Sequence, residues 1–543
     1  MCIFKIRQIF VTINNKIIST LIIKLFRRIK IKHRQMKHSM LKITGKITVA
    51  ILLIATSTAG QLSANNIAVA NTSIVNQNTA GDYTHVKFDV SWENSWRTST
   101  LESNWDAAYV FVKYRIPPMN TWYHATLNYV DGTATNDGNT EPTGATINAT
   151  SDGKGAFLYR NANGIGNVNF TSARLRWNYG ADGLSDEDSV EVCVFAIEMV
   201  YVPQGAFYLG DGSITSVQGQ FEAGTTGNPF YLTSEAALTL GGGGAGSLGN
   251  NNRAGMYSPT AEDFTDATAV TLPAAFPKGF NAFYCMKYET TQGQYADFLN
   301  KLTLAQATAR YMAGYNALTQ SITGTHPNYA AGSPDRPLML TNYDDFFTYL
   351  DWTGLRPMTE LEYEKACRGS RGIGFLPTPD EFAWGDISIK AGPGYTVTNP
   401  GLPNETVNAV NIIGNVAYNL TNNSRPYRAG VFAASLATPN RVEAGASYYG
   451  IMEMTGNQWE YTMPVGRAES RTFNGTHGDG SISAAGSYTV ANWPTSFVGL
   501  GARGGSYADA ATEIRVSSRY IGHYFGTAAR VAQYSGRGVR TAQ

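Results

Sequence analysis

The chain has 543 residues, of which 15% are charged and 43% hydrophobic, with a formal net charge of +1 and four cysteines. That length allows two or three domains with full cores, and the sparse charge with 56 glycines and 31 tyrosines fits a loop-rich exported β protein rather than a cytosolic helical one. The near-neutral total hides an asymmetry: residues 1–64 hold 12 Lys and Arg and no Asp or Glu, so the remainder carries 30 basic against 41 acidic residues, which argues against nucleic-acid binding.

Within the basic leader, Lys37, Lys42 and Lys46 precede an apolar run over 47–55, and small residues follow to Ala64. This pattern predicts a secretory signal peptide cleaved after Ala59 or Ala64, and with it export to the periplasm, the cell surface or the medium. The run is shorter than the ~20 residues of a membrane span, and no cysteine follows it to take a lipid. No transmembrane span is therefore expected once the signal is removed. Residues 1–35 show no packing pattern of their own, consistent with translation starting at Met36 or Met40. Cleavage leaves Cys193, Cys285 and Cys367; a disulfide between Cys285 and Cys367, or three buried thiols, would both suit this spacing.

Residues 65–197 read as a first, all-β domain. Val86, Phe88, Val90 and Trp92 alternate with polar neighbours, and strand-like runs follow at 107–114, 122–130, 156–160, 173–179 and 190–197, separated by Asn-Asp-Gly, Ser-Asp-Gly and Asn-Gly turns. Short strands without helical periodicity predict an immunoglobulin-like sandwich that serves as a spacer or interaction module. Its last strand runs straight into residues 198–543, so the two parts are expected to be tightly coupled. The glycines at 241–244 lack the Lys-Ser/Thr and the helix that a phosphate loop requires, so they read as a plain loop.

Two helix starts come next. Thr291 with Gln294, and Thr359 with Glu362, are capping-box pairs, placing Tyr295, Phe298 and Leu299 on the core face of the first helix and Leu361, Tyr363 and Ala366 on that of the second. Residues 370–450 are irregular but expected to be ordered, and a loop that long is often functional. Residues 450–462 predict a short strand, a Gly-Asn turn and a second strand anchored by Trp459.

Several of these blocks carry a family resemblance. GIMEMTGNQWEY at 450–461, RGGSY at 503–507, KYETTQGQYADFLN at 287–300 and RPMTELEYE at 356–364 occur in the order found in the formylglycine-generating enzyme, or sulfatase-modifying factor, family. VPQGAF at 202–207 and GVR at 538–540 mark the ends, so the resemblance spans 198–543 and implies an α+β, C-type-lectin-like fold after the β-sandwich.

The resemblance implies chemistry that the residues do not supply. Oxygen-dependent members bind copper through two cysteines shortly after the RGGSY-like block, where thiolates suit a soft Cu(I) ion. Here Asp509 and Ile514 stand near those positions, and no cysteine follows Cys367. The iron branch uses clustered histidines, whereas His85, His124, His326, His477 and His523 are scattered. Neither copper nor iron is expected. Asp509, Glu513 and His523 remain as an acid–base set to be weighed against ordinary pairing with Arg515 and Arg519.

Two further site expectations concern binding. The family's structural calcium implies Asn457 and Glu460 as hard oxygen ligands, against the alternative that Asn457 caps the turn and Glu460 pairs with an arginine. Ser506, Tyr507, Asp509, Arg515, Arg519, Tyr520 and His523, with Tyr524 and Phe525, would line the family's peptide-binding face. The resulting expectation is an exported, non-catalytic protein that binds a protein, peptide or glycan in recognition or assembly at the cell envelope. The rivals are an oxidase with an altered metal site and a ligand-displaying protein whose variable stretch is 503–543.

Overall fold

Pairs of capping residues and alternating apolar strands set the frame of the computed structural model, which describes residues 66–543 other than 214–215, 314–319, 371, 392–393, 421–424 and 524–525. The leader and its signal-peptide reading lie outside the described residues.

The first eight strands are β1 (Ala68–Asn78), β2 (Tyr83–Arg97), β3 (Asp106–Arg115), β4 (Tyr123–His124), β5 (Ala145–Ala149), β6 (Ala156–Arg160), β7 (Gly164–Trp177) and β8 (Glu191–Val202). Strands β1, β2 and β7 form a three-stranded sheet. Along β2 the alternation holds as expected, with Val86, Phe88, Val90 and Trp92 buried. These side chains share one hydrophobic cluster with Val110 and Val112 of β3, Ile147 of β5, Leu158 of β6 and Leu175 of β7.

Strand β8 joins this region to the C-terminal part of the chain. It pairs antiparallel with β3 from Asp106↔Val200 to Arg115↔Glu191, while its last residues pair with the strand Phe283–Met286 from Met199↔Met286 to Val202↔Phe283. One eleven-stranded sheet results, in the order Gly501–Arg503, Trp459–Met463, Arg356–Thr359, Gly538–Thr541, Phe283–Met286, β8, β3, β6 and β5, with β4 and Tyr534–Ser535 at its sides. The boundary expected at 197/198 therefore falls inside a strand. The described residues belong to one compact unit, since a sheet that exchanges backbone hydrogen bonds across a junction leaves no linker there.

Both expected capping boxes form, at Thr291 for the helix Gln292–Leu299 and at Thr359 for the helix Glu360–Arg368. Tyr295, Phe298, Leu299, Leu361, Tyr363 and Ala366 are all buried. Two further helices use the same device, Leu304–Arg310 through Thr303 and Gln306, and Tyr343–Thr353 through Asn342 and Asp345.

The strand expected at the start of 450–462 does not form; only Trp459–Met463 is extended in the ladder. Positive φ at Gly450 (84°), Glu453 (53°), Gly456 (72°) and Asn457 (66°) turns the chain repeatedly before it. Residues 370–450 carry few regular elements, yet Phe382, Trp384, Tyr395, Val416, Tyr427 and Phe432 are buried there. Cys193, Cys285 and Cys367 are free thiols, the last two packed in one core cluster. No helix among the described residues is long and apolar enough to cross a membrane.

Candidate functional site

The RGGSY block leaves the strand Gly501–Arg503 and bends at Gly505 (φ 68°), where an added Cβ would collide with Cγ2 of Ile514. Ile514 is fully buried among Phe382, Trp384, Val416 and Tyr418. Ser506, through both its backbone N–H and its hydroxyl, donates to the Asp509 carboxylate, and burial pushes that carboxyl up. Glu513 accepts from the Ala510 N–H at 3.0 Å and is likewise raised by burial, with Asp509 adding to the effect. His523 points elsewhere: its Nε2 bonds the Ser258 carbonyl at 2.8 Å, and burial with the nearby Arg519 charge pushes the ring down to about 4. The structure thus brings Asp509 and Glu513 near each other, while His523 is engaged with the Ser258 segment.

The expected ligand-binding face is largely interior. Arg519 is fully buried, with Nε 2.8 Å from Glu360 and Nη2 2.6 Å from Glu262. Arg503 extends the same network to Glu360 (3.0 Å) and Glu364 (2.6 Å). Buried charges persist only when paired in this way, and the pairing makes Arg519 a structural residue rather than a ligand contact. Ser506, Tyr507 and His523 are buried as well, Tyr507 in a cluster with Tyr395 and Tyr427. Asp509, Arg515 and Tyr520 are half-buried, Arg515 beside Asp380 at 3.2 Å and Tyr520 edge-on to Tyr257. Tyr524 and Phe525 lie outside the described residues.

The Gly-Asn-x-Trp-Glu turn does not fit a calcium ion through its two expected ligands. Oδ1 of Asn457 accepts the Tyr427 N–H at 3.0 Å, and its Nδ2 donates to Glu289 at 2.6 Å. Both oxygens of Glu460 are taken by Arg537, Nε and Nη2 each at 2.7 Å, in a fully buried fork-to-carboxylate pair. The guanidinium supplies the positive charge that a hard cation would otherwise bring to Glu460. Glu289 and Glu453 stand beside this pair; burial raises the first and pushes the second up to about 7. Among the described residues no group of three or more His, Cys, Asp or Glu could hold a metal ion.

A family model described as sulfatase-modifying factor enzyme 1-like domain matches residues 243–540, more than half of the chain. The chain belongs to this family. No curated protein matches it.

The part of the chain before the family domain contributes to a site that sequence reasoning missed. A cleft of about 660 Å³ opens where residues 94–104 and Ile165 of the N-terminal β region face residues 433–452 of the family domain, with Lys287 and Tyr288 lining it. A β-bulge creates one wall. Between Trp92 and Ser95 the β2–β7 register shifts, with Asn94 at φ 54°, so Ser95 takes the inward place and Trp96 leaves the Trp92 cluster to pack, half-buried, against the cluster of Tyr449 and Ile451. Beneath it lies a buried charge cluster: the Lys287 ammonium bonds Glu198 and stands 3.8 Å from Asp106, which accepts from Trp92 Nε1, Ser95 Oγ and the Trp96 N–H. With two carboxylates for one ammonium, burial pushes Glu198 up to about 7, and Lys287 is held above its ordinary value because the carboxylates outweigh its desolvation. The signals available in the sequence were the break of alternation at Glu93 and Asn94 and a lysine in the KYETT block with no other assigned role.

Proposed function

We propose that this sulfatase-modifying-factor-like protein is exported and binds a protein, peptide or glycan ligand in recognition or assembly at the cell envelope, without oxidising a substrate cysteine. The observation that carries this reading is Ile514, which stands near the second copper thiolate position and fills an aromatic pocket. Cu(I) requires soft sulfur ligands, and the residues near those two positions in the sequence are Asp509, a carboxylate bonded to Ser506, and Ile514, an apolar group with no donor at all. The N-terminal β region, read as an immunoglobulin-like sandwich, would serve as part of the recognition surface. The acidic balance outside the leader supports a partner other than nucleic acid.

The test combines two measurements on protein purified without a metal-affinity tag: quantification of copper, iron and calcium, and an oxidation assay on a cysteine-containing peptide under oxygen. The expected result is no stoichiometric copper or iron and no cysteine oxidation. Stoichiometric copper or iron together with turnover would overturn the proposal and return attention to Asp509 and Glu513.

A further inference from the structure

The cleft between the N-terminal β region and the family domain has the volume of a small-ligand site, which ranges over about 300–1,000 Å³ and favours such junctions. Its main aromatic wall is fixed before any ligand arrives. Trp96 Nε1 donates to Oδ1 of Asn104 at 3.2 Å, and Nδ2 of Asn104 donates to the Tyr449 carbonyl at 2.8 Å, tying the indole to the opposite side. Gly450, at φ 84°, makes room for the ring, since a Cβ there would lie 3.0 Å from Trp96 Cζ2. Preorganisation of this kind lowers the entropy lost on binding.

The cleft's other groups narrow the ligand. The Lys287 charge is already matched by Glu198 and Asp106, and Arg441 donates to the Ala383 carbonyl while standing over Tyr448. A phosphate or other strong anion therefore finds both cations engaged. Residues 95–97 of β2 are already in the ladder with 164–166 of β7, and the Trp96 N–H is taken by Asp106, so an extended peptide cannot add here as a strand. What the cleft offers is aromatic surface from the half-buried Trp96 and Tyr448, with the buried Tyr288 at its lining and Asn94, Thr98 and Glu102 as polar side chains along one side. That combination suits a ligand with apolar C–H faces and many neutral hydroxyls, because ring faces attract the partly positive hydrogens of C–H groups while amide, hydroxyl and carboxylate oxygens accept from O–H.

We propose that this cleft binds a neutral oligosaccharide, with Trp96 as the stacking platform and Tyr448 as the facing ring. The inference rests on the binding reading above and names its ligand class.

The experiment is isothermal titration calorimetry of the full chain against tetrasaccharides built from glucose, xylose, mannose or N-acetylglucosamine, in parallel with a screen of a neutral and a basic peptide library. The expected result is binding of at least one saccharide with a Kd of about 10 μM to 1 mM. Trp96→Ala and Tyr448→Ala should each weaken it at least about tenfold, while Tyr257→Ala, an exposed tyrosine outside the cleft, leaves it unchanged. Tyr448 is partly exposed, so its variant carries the test if Trp96→Ala folds poorly. No saccharide binding below about 5 mM, or binding that survives both cleft variants, overturns the proposal. Peptide binding that depends on Trp96 with no saccharide binding also overturns it and assigns the cleft to a protein partner. Failure here leaves the non-catalytic reading standing, because that reading is decided separately by metal content and peptide oxidation.

Discussion

Replacing Arg519 by methionine tests whether the RGGSY segment is core or contact surface. The guanidinium donates to Glu360 at 2.8 and 3.2 Å, to Glu262 at 2.6 Å and to the Gly219 carbonyl at 3.1 Å, all fully buried. Glu360 keeps a second partner in Arg503 at 3.0 Å, whereas the other cation near Glu262 is Arg253 at 3.9 Å, partly exposed. The substitution therefore strands one carboxylate rather than two, and the expected destabilisation is about 3–5 kcal/mol, the range for breaking one buried pair. Its pH dependence has a definite sign. Burial already raises the Glu262 carboxyl with Arg519 present, and losing the arginine raises it further. A raised carboxyl adds stability below its unfolded value and loses it as pH climbs through the folded one. The gap between parent and variant should be widest near about pH 8 and narrow toward about pH 5. Urea unfolding followed by tryptophan fluorescence at both pH values measures it. A difference under about 0.5 kcal/mol at the higher pH, as for a surface contact, or a gap that widens on acidification, would refute the reasoning.

Chelation should leave the Gly-Asn-x-Trp-Glu turn intact: the thermal midpoint is expected to move by less than about 1 °C on adding either EDTA or calcium, and a calcium-dependent rise would contradict Arg537 as the counter-charge of Glu460. His523 should remain neutral down to about pH 4 in an NMR titration. Its depressed value means that the stability it contributes is present above the unfolded value near 6.5 and fades as pH falls from there toward 4; a midpoint near 6.5 would place the ring in solvent. Glu198, pushed up to about 7, contributes stability that is full below its ordinary value of 4.5 and lost as pH rises to about 7. Glu198→Gln should flatten that part of the stability profile, and an unchanged profile would show that the Lys287 cluster does not titrate there.

Local signals carried the parts of the fold that depend on neighbours in the chain. Thr291 with Gln294 and Thr359 with Glu362 announce helices because hydroxyl and side chain serve the same first turn, and the alternation at 86–92 announces β2 because one face is wet. The box at Asn342 and Asp345 was missed because an Asn-x-x-Asp pair differs from the usual hydroxyl-and-glutamyl pattern. The strand expected before Met454 failed because Ile451, Met452, Glu453 and Met454 are all buried, so no face alternation guides that backbone. The site residues failed for a longer-range reason. Arg519 meets Glu360 and Glu262 from 159 and 257 residues away, and no spacing rule reports such a pairing. The cleft failed likewise, since its walls come from residues 94–104 and 433–452 and meet only because β8 continues one sheet across both regions.

The Arg537–Glu460 pair carries a consequence for where the protein can work. A turn braced by a dissociable ion is only as firm as the supply of that ion, and it loosens wherever chelators or dilution strip it. A turn braced by a side chain of its own carries its counter-charge wherever the chain travels. Arg537, 77 residues after Glu460, sits in the short link between Tyr534–Ser535, whose Ser535 pairs with Glu460, and the strand Gly538–Thr541, and it closes that turn as these two strands take their places in the sheet. The docking of this segment of the protein itself, rather than the composition of the surrounding medium, is then what sets the turn.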